Sequence, residues 1–289
     1  SATTDIYTVS LHDALPISGT PVYKWGLINT DGTEVVTPKY DSIGEYLENR
    51  AAVKLNGKWG FIDKEGKEVI APVYDDIKDP IDAAFFAYAK RDPEKIYKGF
   101  YEGYAPVQQN GNWGFIDVNG NPLSPGIIFK EVLIFSEGSA VVRLGDKYGL
   151  LGSDGRYIHE PNTSNPNGIN FDIVRPIFEG LAGVNWDDRK SRGLINTSGY
   201  LVAQFDKEYI DLVQDFREGL ASVRKIDSSG KAKWGFINTS GNIVIPISFD
   251  SVTVFIDGVS KVEQNGKFGL MNRNGNKIGR ASCWETVYI

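Results

Sequence analysis

The chain has 289 residues, a formal net charge of −6 and 24% charged residues. This mild acidity, without any basic block, argues against nucleic acid or an anionic membrane surface as the main partner, and no apolar run is long enough to span a bilayer. Cys283 and His12 lie in the end segments interpreted below as non-native, which leaves His159 and no native cysteine, so disulfide scaffolds, cysteine-rich zinc sites and cysteine nucleophiles are not expected.

Both ends of the chain differ from the rest. Residues 1–18 carry none of the repeated features described below, and residues 6–17 resemble translated sequencing-adapter DNA. Residues 278–289 can be back-translated into DNA whose reverse complement nearly encodes residues 5–17 in another frame. We interpret residues 1–18 and 278–289 as non-native segments and residues 19–277 as one native domain, a fragment of a longer protein.

The stretch 49–75 shows the unit from which this domain is built. Alternating apolar residues flank Asn56-Gly57, which is a strong hairpin signal. A second turn over residues 63–66 is followed by an apolar run that ends at Tyr74-Asp75. Two tight turns predict three short antiparallel strands.

The hairpin predicts which residues of this unit share a face. In a two-residue hairpin the facing pairs are Leu55 with Lys58, Val53 with Gly60, and Ala51 with Ile62. Trp59 and Phe61 then project from the opposite face, so both faces are apolar. One unit cannot cover both faces, whereas stacked copies cover each other.

Three markers of this unit recur along the chain. We number seven modules by the dipeptide equivalent to Trp59-Gly60, which is in turn Trp25-Gly26, Trp59-Gly60, Trp113-Gly114, Tyr148-Gly149, Arg192-Gly193, Trp234-Gly235 and Phe268-Gly269. Each is followed by a turn glycine, at Gly32, Gly66, Gly120, Gly155, Gly199, Gly241 and Gly275. The third marker is an acid–glycine turn, at Glu48-Asn49, Glu102-Gly103, Glu137-Gly138, Glu179-Gly180, Glu218-Gly219 and Asp257-Gly258. Asn49 stands where the other five turns have glycine, which indicates that the backbone at this position needs a positive φ.

The module pattern resembles the bacterial WG-repeat (KWG-repeat) family. It combines Phe-x-Glu-Gly, an Asn-Gly turn, Lys-Trp-Gly-Phe-Ile-Asp, a glycine turn, Val-Ile-x-Pro and Tyr-Asp, over roughly residues 22–277. Modules 1, 2, 3 and 6 match closely, whereas those at Tyr148, Arg192 and Phe268 depart at the tryptophan. The resemblance implies a repeat array and little about function, because such proteins generally have no settled biochemical activity.

We therefore predict an all-β tandem array of six to seven small antiparallel sheets with three or four strands each. The sheets form a propeller-like ring or, alternatively, an open superhelical solenoid. Insertions interrupt the array near residues 78–98 and 156–170. The first is predicted to contain a short helix from Asp79-Pro80 to Lys90, with a strand over residues 84–88 as the alternative. The second is predicted to be an exposed turn cluster.

The recurring acids of the acid–glycine turns admit two interpretations. They could form a row of carboxylates that collects cations. Alternatively, each accepts backbone N–H bonds at its own turn or pairs with the lysine before the aromatic, as at Lys58 and Lys267. We favour this second interpretation. The acids are Glu48, Glu102, Glu137, Glu179, Glu218 and Asp257.

Two further features suggest chemistry. Asp63 and Asp117 lie three residues before a turn glycine, which suggests calcium. Uncharged asparagine fills the same place at Asn29, Asn196, Asn238 and Asn272. A turn-forming side chain is therefore the better interpretation. His159 has no cysteine or histidine companion and is not expected to be a catalytic base.

The aromatic residues suggest either binding or packing. Regular recurrence of the tryptophans favours a core shared between sheets over platforms for sugars or peptides. Trp186 lies outside the repeated position and is the aromatic expected to be exposed for binding, and Phe85 and Phe86 of the first insertion are further candidate binding residues. The expected structural anchors are Trp25, Gly26, Trp59, Gly60, Trp113, Gly114, Tyr148, Gly149, Gly193, Trp234, Gly235, Phe268 and Gly269.

The predicted function is a non-catalytic scaffold that binds a protein or peptide. The alternative is a carbohydrate- or cell-wall-binding module that uses exposed aromatics. No nucleophile, base and orienting group can be assembled from these residues, so the chain is not expected to be an enzyme. We expect no cofactor, metal, nucleic-acid partner or membrane span, and we favour a bacterial envelope or extracellular location.

Overall fold

The computed structural model describes residues 6–12, 23–79, 98–161, 169–187, 191–205, 216–226 and 228–280. Every regular element in these residues is a β-strand. The chain divides into two compact units, one comprising residues 1–145 and 152–156 and the other residues 146–151 and 157–289. The prediction of an all-β tandem array of small antiparallel sheets is confirmed.

The first unit contains the sheets of modules 1 to 3. Module 1 is formed by β1 (Ile6–His12), β2 (Tyr23–Asn29) and β3 (Glu34–Tyr40). Module 2 is formed, in this order, by β4 (Ser42–Leu47), β5 (Arg50–Leu55), β6 (Lys58–Ile62) and β7 (Glu68–Tyr74). Module 3 is formed by β8 (Asp76–Ile77), β9 (Tyr104–Gln109) and β10 (Asn112–Asp117). Next in the chain, β11 (Glu131–Val132) pairs with β12 (Ser139–Leu144).

The second unit contains the sheets of modules 5 to 7. It begins with β13 (Lys147–Gly152), which pairs with β14 (Tyr157–His159). Module 5 is formed by β15 (Phe171–Val174), β16 (Leu181–Trp186), β17 (Ser191–Asn196) and β18 (Leu201–Phe205). Module 6 is formed by β19 (Leu220–Ile226), β20 (Ala232–Asn238) and β21 (Ile243–Phe249). Module 7 is formed by β22 (Ser251–Val252), β23 (Val259–Gln264), β24 (Lys267–Asn272) and β25 (Lys277–Arg280).

The hairpin register of module 2 agrees with the prediction. Ala51 faces Ile62, Val53 faces Gly60 and Leu55 faces Lys58. We call the strand after the turn glycine the third strand. In module 2 it bulges, because Trp59 pairs with Tyr74 and Phe61 with Ile70, which leaves three residues opposite Gly60 alone. Modules 1 and 6 show the same shift, and the bulge accommodates a proline in each of the three third strands, at Pro38, Pro72 and Pro246.

Successive sheets in the first unit share their cores. One face of the module 2 hairpin packs on module 1, in a cluster of Leu27, Val36, Tyr40, Ile43, Ala51, Val53 and Ile62. The other face packs on module 3, in a cluster of Ala52, Trp59, Phe61, Ile70, Tyr74, Ile77, Phe100, Ala105, Val107 and Ile116. The sheet of module 2 is therefore covered on both faces by its neighbours, as its two apolar faces predict.

The second unit repeats this arrangement. Modules 5 and 6 share Leu181, Leu194, Phe205, Phe216, Ala221, Val223 and Ile237. Modules 6 and 7 share Leu220, Phe236, Ile245, Phe249, Phe255, Val262 and Met271. In both units the residues that alternate along one strand belong to two different cores, because successive side chains of a strand point to opposite faces.

The segments interpreted as non-native also contribute strands. β1 lies within residues 1–18 and pairs with β2 from Ile6 opposite Asn29 to His12 opposite Tyr23. β25 extends to Arg280 and pairs with β24. Their non-native origin stays a prediction. The helix predicted from Asp79-Pro80 to Lys90 lies, apart from Asp79, within residues 80–97, and most of the predicted turn cluster lies within residues 162–168. Both ranges are outside the described residues.

Candidate functional site

In six of the seven modules the glycine of the dipeptide lies against the backbone of the segment that follows the turn glycine. A Cβ atom on Gly60 would lie 2.4 Å from the carbonyl oxygen of Ile70 and 2.6 Å from the nitrogen of Pro72. The same clash with third-strand backbone, at 2.4 to 2.6 Å, arises at Gly26, Gly149, Gly193 and Gly235, and at Gly114 a Cβ atom would lie 2.7 Å from the backbone of Gly126 and Ile127, which follow the turn glycine of module 3. Only glycine allows the backbones to approach this closely.

The aromatic residue of the dipeptide differs in exposure from module to module. Trp59 is only 6% exposed and belongs to the core shared by modules 2 and 3. The ammonium groups of Lys54 and Lys98 lie 5.5 and 5.3 Å from its ring centroid. Trp25, Trp113 and Trp234 are half-buried at the equivalent position. Phe268 is 46% exposed.

The lysine before the aromatic pairs with the aspartate that follows the third strand. Lys58 donates to one carboxylate oxygen of Asp75, and the N–H of Asn110 in module 3 donates to the other at 2.7 Å. These two hydrogen bonds hold the pKa of Asp75 below its ordinary value. The expectation that this lysine pairs with the acid of the acid–glycine turn is therefore wrong for module 2. Equivalent pairs are Lys24 with Asp41, Lys147 with Asp172, and Lys233 with Asp250.

The acid–glycine turns form a row of contacts between modules that we call clasps. The carboxylate of Glu102 accepts the N–H groups of Glu137 and Gly138, both at 2.8 Å. The carboxylate of Glu48 accepts the N–H of Gly103 at 2.8 Å. Each acid therefore binds the backbone of the next turn along the chain.

The second unit contains the same clasps. Glu179 accepts the N–H groups of Glu218 and Gly219, both at 2.6 Å. Glu218 in turn accepts the N–H of Gly258 at 2.9 Å. The prediction that each acid bonds the backbone of its own turn is wrong for Glu48, Glu102, Glu179 and Glu218, because their carboxylates bond the following turn. All six acids have a positive φ, between 49° and 53°.

Removing one clasp should cost measurable stability. We expect Glu102→Ala to lower the free energy of unfolding by about 1 kcal/mol more than Asp257→Ala, because a charged acceptor of two N–H groups is lost. Asp257 is the matched control, since its φ of 51° is close to the 52° of Glu102 and no hydrogen bond to its carboxylate occurs in the described part of the structure. Urea denaturation of both variants tests this prediction. Equal losses would show that only backbone strain is being measured.

The side chains three residues before the turn glycine accept backbone hydrogen bonds within their turns, as predicted. The carboxylate of Asp63 accepts the N–H of Lys67 at 2.8 Å, and that of Asp117 accepts the N–H of Asn121 at 2.8 Å. The side chain of Asn238 accepts the N–H of Asn242 at 3.0 Å in the same geometry. Among the described residues no group of three or more His, Cys, Asp or Glu side chains could hold a metal ion.

His159 is a buried histidine in β14. It is 3% exposed, and its ring lies edge-on to Phe171 at 4.6 Å between centroids. Its Nε2 atom has no hydrogen-bond partner among the described residues. Burial lowers the pKa of His159.

This burial predicts a pH-dependent stability. The unfolded chain binds a proton at His159 more readily than the folded chain, so the stability due to neutral His159 is complete above about pH 6.5 and falls as the pH drops below that value. We expect the melting temperature to fall between pH 7.5 and pH 5, and His159→Leu to reduce that fall. Thermal denaturation at several pH values measures the effect. An unchanged slope in the variant would contradict it.

The predicted binding residues occupy different environments. Trp186 is half-buried in β16, its ring lies 6.4 Å from that of Phe171, and its indole lies 3.2 Å from where a Cβ of Gly193 would be. It thus covers the glycine of the module in which Arg192 replaces tryptophan. Phe85 and Phe86 lie outside the described residues.

A set of exposed apolar residues was missed in the sequence. In the second unit Val202 and Val244 are 44% and 45% exposed on the third strands of modules 5 and 6. Tyr200 and Ile243 beside them are 50% and 47% exposed. The signal was present, because the residue three positions after every turn glycine is apolar, at Val35, Val69, Leu123, Ile158, Val202, Val244 and Ile278.

A family model supports this repeat geometry. The model described as a WG containing repeat matches residues 25–59, 59–86, 95–113, 113–148 and 234–268, which together are more than half of the chain. The chain belongs to the WG-repeat family. The matches include the four WG dipeptides and omit most of the stretch around Arg192, where the tryptophan is replaced.

Solved structures similar to this WG-repeat chain share little sequence with it. A streptogramin B lyase is 16% identical over 97% of this chain and 88% of that chain, with a TM-score of 0.36. Hsv2 from Kluyvelomyces marxianus is 11% identical over 88% and 87%, with a TM-score of 0.43. Virginiamycin B lyase from Staphylococcus aureus, solved with quinupristin, is 14% identical over 94% and 87%, with a TM-score of 0.35. No function is transferred at these low values.

These findings correct one expectation. The chain was expected not to be an enzyme. That prediction is wrong as it was stated, because two lyases are among the solved structures to which the chain is similar. The search of curated proteins found no match. None of the described residues forms a helix that could cross a membrane.

Proposed function

We propose that this WG-repeat array is an interaction scaffold that binds a protein or peptide. The recurring acids, lysines and aspartates bond to neighbouring modules, so the polar residues of the repeat serve the array itself. The second unit also exposes apolar side chains on its third strands. We take these side chains as the contact surface for a partner.

The observation that carries this proposal is the exposure of Val202 and Val244. They occupy equivalent positions in adjacent modules, and Tyr200 and Ile243, close to them in the sequence, are exposed as well. Exposed apolar patches on a folded protein are typical of interaction sites. Because the exposed valine recurs once in each of these two modules, a partner can contact more than one module in the same way.

The alternative of a glycan-binding module receives less support. A sugar platform needs an exposed aromatic face. Trp59 is 6% exposed, and cationic side chains lie over the rings of Trp59, Trp113 and Trp234. The repeated tryptophans are thus occupied within the array, so we advance protein or peptide binding alone.

Selection from a displayed library of random short peptides tests the proposal on the full chain. We expect enriched peptides to bind Val202→Ser/Val244→Ser about tenfold more weakly than the unaltered chain, because apolar contact area is lost. Val73→Ser is the matched control, since Val73 is a 46% exposed third-strand valine at a different repeat position. Failure to enrich any peptide, or equal binding to all three proteins, would contradict the proposal.

A further inference from the structure

The third strand of module 5 differs from most others in the array. Elsewhere proline interrupts this position, within β3, β7 and β21 at Pro38, Pro72 and Pro246, and shortly after β14 at Pro161. Proline on an edge strand removes an N–H donor and blocks the addition of another strand. β18 contains no proline. β25 also lacks one, but it contains Gly279 and extends into the segment interpreted as non-native.

Opposite the dipeptide glycine, β18 lacks the bulge found in β3, β7 and β21, and β25 lacks it as well. Arg192 pairs with Phe205, Gly193 with Gln204 and Leu194 with Ala203, without the additional residues found opposite the dipeptide glycine in modules 1, 2 and 6. The inward residues hold the strand in place, because Phe205 is part of the core shared with module 6 and Ala203 packs against it. The edge is regular from Ala203 to Phe205, and a register shift falls at Val202, between Leu201 and Ala203.

The outer edge of β18 is open among the described residues. β18 is the last strand of its sheet, and no described strand pairs with its outer side. Its side chains include no charge of the kind that protects exposed edges, and Val202 and Gln204 are exposed.

The hydrogen-bonding pattern between β17 and β18 determines which N–H and C=O groups of β18 point outward. In module 3 the pair equivalent to Arg192 and Phe205 is Trp113 and Phe129, which exchange two N–H···O bonds of 2.8 and 2.9 Å. Residues of an antiparallel strand alternate between bonded and outward-directed groups. Gln204, next to the bonded position, therefore directs its N–H and C=O away from β17.

We infer that β18 binds its partner as an added β-strand. The inference rests on the proposed function and specifies its chemistry: an extended peptide segment, free of proline, whose backbone pairs with the outer edge of β18. An apolar side chain of that segment contacts Val202 and Tyr200. The main-chain hydrogen bonds provide affinity, and the alternating side chains provide selectivity.

Gln204→Pro tests this inference in the full chain. Proline at this position removes an outward N–H and leaves the pairing with β17 intact, as natural edge prolines do. Peptides enriched on the unaltered chain are expected to bind this variant about tenfold or more weakly, because ladder hydrogen bonds are lost. Gln204→Thr, which keeps the N–H, is the matched control and is expected to bind normally. Circular dichroism checks that both variants fold.

A second measurement keeps the test independent of folding. N-methylation of the enriched peptide, one residue at a time, is expected to weaken binding at every second residue, since an added strand points alternate N–H groups at its neighbour. Equal binding to Gln204→Pro together with no period of two would overturn strand addition while leaving the proposed scaffold function standing. Concentration-dependent dimers abolished by Gln204→Pro would instead assign the edge to a second copy and also overturn the inference. Enrichment of no peptide at all would refute the scaffold function itself.

Discussion

Gly60→Ala is expected to lower the free energy of unfolding by about 3 kcal/mol, because the added methyl group overpacks a closed site. Its Cβ would lie 2.4 Å from the carbonyl oxygen of Ile70, and the atoms in its way belong to backbone and not to a mobile side chain end. The third strand must move away from β6 to make room. That movement would also disturb Ile70 and Tyr74 in the core shared with module 3. Urea denaturation followed by tryptophan fluorescence measures the loss.

Gly57→Ala is the matched control for this variant. Gly57 lies in the same hairpin and has a φ of 81°, but nothing lies within 4 Å of its Cβ position. Alanine there carries only the backbone cost of positive φ, about 1 kcal/mol. The difference between the two variants isolates the approach of the third strand. If Gly60→Ala were no worse than Gly57→Ala, the explanation of the geometry repeated at the dipeptide glycines would be wrong.

Phe61→Ala is expected to cost about 4 kcal/mol, because a fully buried aromatic ring leaves a cavity. Phe61 is 0% exposed, and its ring lies 4.7 Å from that of Phe100 in module 3. The lost contacts belong to two modules, so unfolding of both should become easier. Amide hydrogen exchange of β9 and β10 would reveal whether module 3 is loosened by a change in module 2.

The exposed Phe268 provides the control for Phe61. It is 46% exposed in module 7, and its replacement by alanine removes a ring of the same size. We expect Phe268→Ala to cost less than about 1 kcal/mol, as surface substitutions usually do. A similar loss for both variants would show that burial between modules is not the source of the effect.

The local structure of the modules was predictable because it depends on residues close in sequence. Asn56-Gly57 and the alternation around it specify the register that the structure shows. The demand for positive φ at the acid–glycine turn was inferred from Asn49, which has a φ of 64°. Both features are properties of one turn and need no knowledge of its neighbours.

The contacts between modules were predicted less well, because their partners are distant in sequence. Glu102 bonds a turn 35 and 36 residues away, and nothing in one module states that the next turn is the partner. The lysine–aspartate pairs contained a usable signal that was not used. Lys24 with Asp41, Lys58 with Asp75, and Lys233 with Asp250 are each separated by 17 residues.

A double-mutant cycle on Phe61 and Phe100 tests most directly whether adjacent modules stabilise one another. The free energy of unfolding is measured for Phe61→Leu, Phe100→Leu and the double variant. Shared burial predicts a coupling energy of about 1 kcal/mol or more between these residues of modules 2 and 3. Effects that add to within about 0.3 kcal/mol would show that the two residues act independently and would contradict a core shared between sheets.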